Sequence, residues 1–399
     1  MRVANILLNT DTLASQVLCL TYTDAAAFNM RKRLNSIIGP ESYGVNVRTF
    51  HSFGSEIINK YIEYFYFGAT FNPATDLHQT QIIQEILDEL PFENPLKSYH
   101  PEQGYTYLKS ILAQIDNLKK NAVFPEEFKE ILIQNKKFFG VFSPVFRDFF
   151  NIIARINKAS LESFKNLRER LLPELNSFIT TNQSFNYSYA GRFIRDLESL
   201  DLESGTKPLS AFKKEWFEKT AGINDSFSFE FKDYNKLEKH FGLQKVYQKY
   251  QEKMHLKGLY DYTDMLLEVI LAAKNNLDFR FKLQESFLYI LVDEFQDTSG
   301  AQMRLINNLF DLEREAGRPN LLVVGDDDQS IYKFSGASLD NIIDFTLNYK
   351  KPEIITLTKN YRSTQDILDL ADGLISNADK RLSDTLSIPK KILSQVGTE

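Results

Sequence analysis

Residues 288–297 read LYILVDEFQD. A mostly apolar run ends in two adjacent carboxylates, Asp293 and Glu294, and a third, Asp297, follows shortly after. Neighbouring carboxylates repel each other and resist leaving water, so the arrangement calls for a compensating partner. A short, near-continuous apolar run is the pattern of a strand covered on both faces, as in a parallel sheet. Four other runs share it with FLYILVD (287–293): VLCLTY (17–22), VNVRTF (45–50), LLVVGD (321–326) and EIITLT (353–358). Between the first two lies TDAAAFNMRKRLNSIIGP (23–40), where Ala27, Met30, Leu34 and Ile37 or Ile38 recur at helical spacing. Thr23 or Asp24 can cap its start and Gly39-Pro40 stops it. Strand–helix–strand is the unit of a doubly wound α/β fold.

The middle of the chain has a different character. HQTQIIQEILDEL (78–90), TYLKSILAQIDNLKK (106–120) and KLEKHFGLQKVYQKYQEKM (236–254) are amphipathic helical patterns, and few runs there look like buried strands. The expected division is an α/β domain from 1–75, a helical insertion over 76–255, the rest of the α/β domain over 256–350, and the start of another domain over 351–399. Within the insertion, NQSFNYSYAG (182–191) and DLESGTKPLS (201–210) read as long loops.

Bulk properties narrow the class. The 399 residues leave room for two or three domains, and 32 Phe point to a Phe-rich core. The single cysteine, Cys19, excludes a disulfide scaffold and fits a reducing compartment. No apolar stretch reaches the roughly 20 residues of a membrane span. The opening MRVANILLNTDT lacks a signal-peptide pattern, so a cytoplasmic protein is expected. A net charge of −6 argues against a nucleic-acid binder as a whole. Charge is uneven, however: residues 207–257 hold eleven Lys against seven Asp or Glu, a basic face that also suits a solvated helix.

Asp293 and Glu294 fall at the carboxyl end of a predicted strand, the edge where open α/β sheets bind ligands. An acidic pair there can hold Mg²⁺ and orient a water for attack on a phosphate, or can be a solvated acidic loop. LLVVGDDDQSIYKFSGA (321–337) is a second strand ending in carboxylates, continuing to Gln329, Tyr332 and Phe334. Gln329 can sense a terminal phosphate. In TLTKNYRSTQDILDLADGLI (356–375), Tyr361 offers a flat face and Arg362 a permanent cationic fork for phosphate oxygens. Ser363 with Asp366 can equally begin a helix there. Upstream, Tyr22 and Thr23 end one strand, and Thr49, Phe50, His51, Ser52 and Phe53 end another. Hydroxyls and amides opening a helix can grip phosphates, and exposed aromatics can stack bases.

Taken in order, LTYTDAAAFNM, VRTFHSF, LVDEFQDTSGAQ, VVGDDDQSIYKFSGA and NYRSTQDIL resemble the motifs of UvrD/Rep-type superfamily 1 DNA helicases. ILAQIDNLKKNAVFPEEF (111–128) and LYDYTDML (259–266) are weaker echoes. The resemblance implies a RecA-like P-loop NTPase sheet with a large helical insertion, and an ATP-dependent 3′-to-5′ translocase on single-stranded DNA. It implies ATP and Mg²⁺ as cofactors, with DNA repair or recombination proteins as possible partners. At matching positions, Asp293 and Glu294 would bind Mg²⁺, with Glu294 as the base. Gln296 and Asp297 complete the signature, and Gln329 would couple the γ-phosphate to DNA. Tyr361 would stack on adenine and Arg362 would reach the γ-phosphate. Tyr22, Thr23, Thr49, His51 and Phe334 would contact single-stranded DNA. Ala25, Ser335 and Phe334 stand where the family commonly has Lys, Arg and Trp.

The family opens with a GxxxxGK[ST] phosphate loop, and no GK[ST] occurs in these 399 residues. MRVANILL resembles the later part of the helix after that loop, so the sequence reads as a helicase portion truncated at both ends and inactive alone. Two other readings are the helicase part of a RecB/AddA-like helicase–nuclease and a non-catalytic DNA-binding remnant.

Overall fold

The structure, a computed structural model, describes residues 1–65, 72–153, 156–182, 189–221, 227–310, 319–329, 345, 349, 352–377 and 391–396. The chain divides into two compact units. One comprises Met1–Pro73, Asp116–Ala122 and Gly258–Glu399; the other comprises Ala74–Ile115 and Val123–Lys257.

In the first unit the expected strand–helix–strand forms. Helix α1 (Arg2–Asn9) leads to strand β1 (Val17–Thr21), helix α2 (Asp24–Ile38), strand β2 (Asn46–Thr49) and helix α3 (Phe50–Lys60). Thr23 caps α2, and Gly39 ends it at φ 68°, a backbone angle that glycine adopts without a Cβ clash. The chain later adds helix α4 (Asp264–Asn275), strand β3 (Tyr289–Val292), helix α5 (Gly300–Asn308) and strand β4 (Leu321–Val323). The four strands form a sheet in the order β4-β3-β1-β2, every pair parallel. All five β1 residues are buried, as a strand covered on both faces must be. Val17, Cys19 and Val47 pack on one face with Ala27 and Leu34 of α2 and with Val3 and Ile6 of α1. Leu18 and Leu20 alternate to the other face and are fully buried.

This order places a topological switch between β1 and β3. From β1 the chain moves outward to β2, and from β3 it moves outward to β4. The carboxyl ends of β1 and β3 therefore flank the crevice where such sheets take ligands.

The run 353–358 was expected as a fifth strand and is not one. Ile354, Ile355 and Leu357 are exposed at 53, 71 and 79%. Among the described residues, pairing nearby is confined to Lys359–Asn360 beside Leu393–Ser394. Apolar composition marks a candidate strand, but a neighbour must supply the ladder of hydrogen bonds.

The second unit is mainly helical, with long helices at Asp76–Glu89, Pro125–Ile152, Lys158–Asn182 and Leu237–Leu256. Its core is indeed rich in phenylalanine: Phe138, Phe146, Phe193, Phe217 and Phe231 pack into one cluster, and Trp216 sits edge-on to Phe193. The two stretches expected as loops are corrected in part. Helices Tyr189–Glu198 and Thr206–Trp216 begin inside them. Pro208 is the reason for the second misreading, because a helix tolerates proline in its first turn. An antiparallel hairpin, Phe217–Ala221 with Phe227–Phe231, also went unrecognised. The basic stretch is matched locally. Lys249, Lys253 and Lys257, three of its eleven lysines, bridge to Glu85 and Glu89 within this unit. Among the described residues no helix is long and apolar enough to cross a membrane.

Candidate nucleotide and strand-binding site

Beyond Val292 the chain turns out of β3, and the backbone N–H of Asp293 donates to the Leu20 carbonyl of β1 at 2.9 Å. Asp293 is half-buried, and burial, then the charge of Glu294, raises its pKa above the usual carboxylate range. Glu294 is exposed and adopts the left-handed conformation, φ 51° and ψ 45°. A side chain with a Cβ in that region costs about 1–2 kcal/mol, so the surrounding contacts must fix it.

Those contacts run through Gln296. Its Nε2 donates to Glu294 Oε2 at 2.7 Å, and its Oε1 accepts the backbone N–H of Asp326 at 3.0 Å. Asp326 follows β4, and its Oδ2 accepts from Gln329 Nε2 at 2.8 Å. One line of hydrogen bonds thus joins Glu294, Gln296, Asp326 and Gln329 along the carboxyl edge of the sheet. The chains approach so closely here that a Cβ on Gly325 would lie 2.7 Å from Gln296 Oε1. Glycine at 325 is what allows the amide to bridge. Two buried side-chain oxygens on this edge, Thr21 Oγ1 and Asp297 Oδ1, have no hydrogen-bond partner among the described residues. Burial, then Glu294, raises Asp297 as well.

Next to Asp293 a cavity of about 310 Å³ is lined by Cys19, Asn29, Met30 and Arg33 among others. Burial, then the Asp293 carboxylate, pushes the Cys19 thiol up to about 12, so it stays protonated. Among the described residues no three His, Cys, Asp or Glu side chains form a metal cage. An acidic pair at a strand end is instead the donor set that Mg²⁺ takes together with phosphates and water. Asp293 and Glu294, side by side at the end of β3, are donors of that kind.

The remaining candidates sit as follows. Tyr22 is exposed just after β1. Thr23 and Thr49 act as helix caps: Thr23 Oγ1 accepts from the Ala26 N–H, and Thr49 Oγ1 accepts from the Ser52 N–H. Thr49 is buried as well. The His51 ring stacks on Tyr262 with centroids 4.0 Å apart and planes at 26°. Tyr361 and Arg362 are exposed on a turn where Asn360 Oδ1 accepts the N–H groups of Arg362 and Ser363, both at 2.8 Å. The helix that follows, Gln365–Ile375, has Thr364 rather than Ser363 at its N-cap. Phe334 lies outside the described residues. Sequence reasoning gave no individual role to Gln296 and singled out neither Gly325 nor Asp326. Their contribution is geometric and has no spacing signature.

The motif order and this edge geometry agree with the comparison to known proteins. The family model for the UvrD/REP helicase N-terminal domain matches residues 1–350. The chain belongs to that UvrD/REP helicase family. DNA helicase II of Escherichia coli (strain K12) is 42% identical over 143 residues, covering 36% of this chain and 19% of that protein. The ATP-dependent DNA helicase PcrA of Leuconostoc citreum is 36% identical over 152 residues, covering 38% of this chain and 19% of that protein. Over a longer span, the ATP-dependent DNA helicase PcrA of Bacillus subtilis (strain 168) is 24% identical over 380 residues, covering 95% of this chain and 36% of that protein. The chain thus spans about a third of the length of the Bacillus relative. The UvrD/REP membership accounts for a mixed helix and parallel-sheet domain with acidic residues on its carboxyl edge.

Proposed function

We propose that the sheet-bearing unit contains the first RecA-like half of an ATP-dependent, 3′-to-5′ single-stranded DNA translocase serving repair or recombination. Residues 1–75 and 256–350 would make up that half, 76–255 its helical insertion, and 351–399 the opening of a second RecA-like half. The observation that carries the reading is the hydrogen-bonded line Glu294–Gln296–Asp326–Gln329 at the switch point of the sheet. Asp293 and Glu294 would hold Mg²⁺, which supplies polarisation of a phosphoryl oxygen when bound. Glu294, aimed by Gln296, accepts a proton from the attacking water. Gln329 now donates to Asp326, and exchanging that partner for a terminal phosphate would carry the state of the nucleotide into the loop after β4. Arg362 neutralises charge on the transferring phosphate, a role worth roughly 10³–10⁵ in rate in related phosphoryl-transfer systems. Tyr361 stacks on the adenine. Tyr22 and His51 face the DNA strand.

The 399 residues contain no GK[ST], and on their own we expect them to turn over ATP negligibly. The test is a chimera in which these residues replace the matching part of the Bacillus subtilis relative, with the rest of that protein retained. DNA-stimulated ATP hydrolysis is expected, with Glu294→Gln reducing it by at least a hundredfold. A chimera that binds DNA yet is as inactive as its Glu294→Gln variant would make the chain a non-catalytic binding remnant instead.

A further inference from the structure

In the helical unit, the hairpin of Phe217–Ala221 with Phe227–Phe231 divides its side chains between two faces by alternation. Phe217 with Phe231, Lys219 with Phe229 and Ala221 with Phe227 share one face, and Glu218 with Glu230 share the other. Phe217 and Phe231 belong to the phenylalanine core, so the first face starts buried and runs outward. Phe227, at its outer end, is 66% exposed.

Two ammonium groups sit on this outer part. Lys213, in the last turn of helix Thr206–Trp216, lies 3.6 Å from the centroid of the Phe229 ring and 4.8 Å from that of Phe150. Lys219 lies over Phe227 at 4.2 Å. A ring face attracts a cation but returns only part of the solvation that the cation gives up. Lys213 is partly buried there, and burial, then the Lys219 ammonium, lowers its pKa below the ordinary lysine value. The neighbouring carboxylates are engaged elsewhere. Arg147 bridges to Glu230, Arg192 bridges to Glu215 at 2.8 Å, and Glu218 Oε1 accepts from Asn235 Nδ2 at 3.4 Å. Two cations thus share an apolar surface, and among the described residues neither has a carboxylate partner.

The rest of the hairpin narrows what can bind. Asn151 Oδ1 accepts the Phe229 N–H at 3.1 Å, so the second strand has its outer edge capped and is closed to an added strand there. Phe229 packs against the core and has Lys213 over it, which leaves little ring face for a nucleobase. What the surface offers is positive charge beside exposed apolar ring.

We infer that Lys213, Lys219 and Phe227 form a docking surface for an acidic protein segment in which carboxylates alternate with apolar side chains. The carboxylates meet the two ammonium groups, and the apolar side chains cover the Phe227 ring. A phosphodiester strand would supply the charge and leave the ring uncovered. The inference is independent of the nucleotide and single-strand readings above.

The test is fluorescence anisotropy of a labelled short peptide of alternating Asp and Leu, titrated with the 399-residue chain. Wild type is expected to bind it saturably. Lys213→Gln with Lys219→Gln should bind roughly tenfold more weakly, whereas Lys213→Arg with Lys219→Arg should stay within about twofold, which separates charge from packing. Phe227→Ser should weaken the Asp-Leu peptide by about fivefold and leave a peptide of alternating Asp and Ser unchanged. Unaltered Trp216 emission would show that each variant keeps the adjoining core. A wild-type chain that does not bind the Asp-Leu peptide, or a double Gln variant that binds it as well as wild type, overturns the inference. So does an oligothymidylate of equal charge that binds wild type more tightly than the peptide and loses affinity in the double Gln variant, since the surface would then serve nucleic acid.

Discussion

At residue 51 an imidazole is kept neutral. Burial lowers its pKa from the ordinary 6.5 to about 4. The unfolded chain therefore takes up a proton between pH 6.5 and 4 that the folded chain refuses. The stability contributed by the neutral ring is fully present above pH 6.5, is lost as pH falls toward 4, and changes no further below that. His51→Gln cannot titrate, so the difference between wild type and variant isolates this group. Wild-type stability in urea is expected to drop relative to His51→Gln by about 2–3 kcal/mol between pH 7 and pH 4. Parallel curves across that range would mean that His51 protonates as readily folded as unfolded. The identity of His51 as a candidate was legible in VRTFHSF, but its protonation was not. That depends on burial, which only folding supplies, with Tyr262 stacked on the ring from more than two hundred positions away in the sequence.

At the scale of the element, strand ends do most of the positioning. β3 and β4 were visible as apolar runs, and their carboxylates were visible beside them. What the linear pattern could not carry is the link between them, because a glutamine bridging two strand ends leaves no periodic trace. Gly325→Ala tests that link. The added methyl would meet Gln296 Oε1 at 2.7 Å and Gln296 N at 3.1 Å, and the amide must swing away from Glu294 and Asp326. A loss of about 1–3 kcal/mol in urea unfolding is expected. In the ATPase chimera the same substitution should lower DNA-stimulated turnover even at temperatures where the protein remains folded. An alanine variant with unchanged stability and turnover would show that the bridge is dispensable. The failed fifth strand at 353–358 makes the complementary point. Its composition suits a strand, yet the partners that decide the matter lie elsewhere in the chain, and Lys359–Asn360 found one where 353–358 did not.

At the scale of the whole molecule, hydrophobic pattern reported the helical second unit and the phenylalanine count anticipated its core. Pattern missed the hairpin there because the sequence between its two strands, GINDS (222–226), carries no Asn-Gly or Asp-Gly signal. The aromatic core of that unit has a practical consequence. The chain has one tryptophan, Trp216, 3% exposed and edge-on to Phe193 at 5.0 Å between centroids. Intrinsic emission excited at the red edge, where tyrosine is silent, therefore comes from a lone chromophore set in one lobe, while far-ultraviolet dichroism sums over both. As denaturant rises, the two signals should give separate midpoints if the lobes melt independently, and one shared midpoint if they melt as a single cooperative block. Nature has in effect installed a single-site optical probe in the helical lobe and left the sheet-bearing lobe dark, so the first could be watched losing its structure while the second still keeps its own.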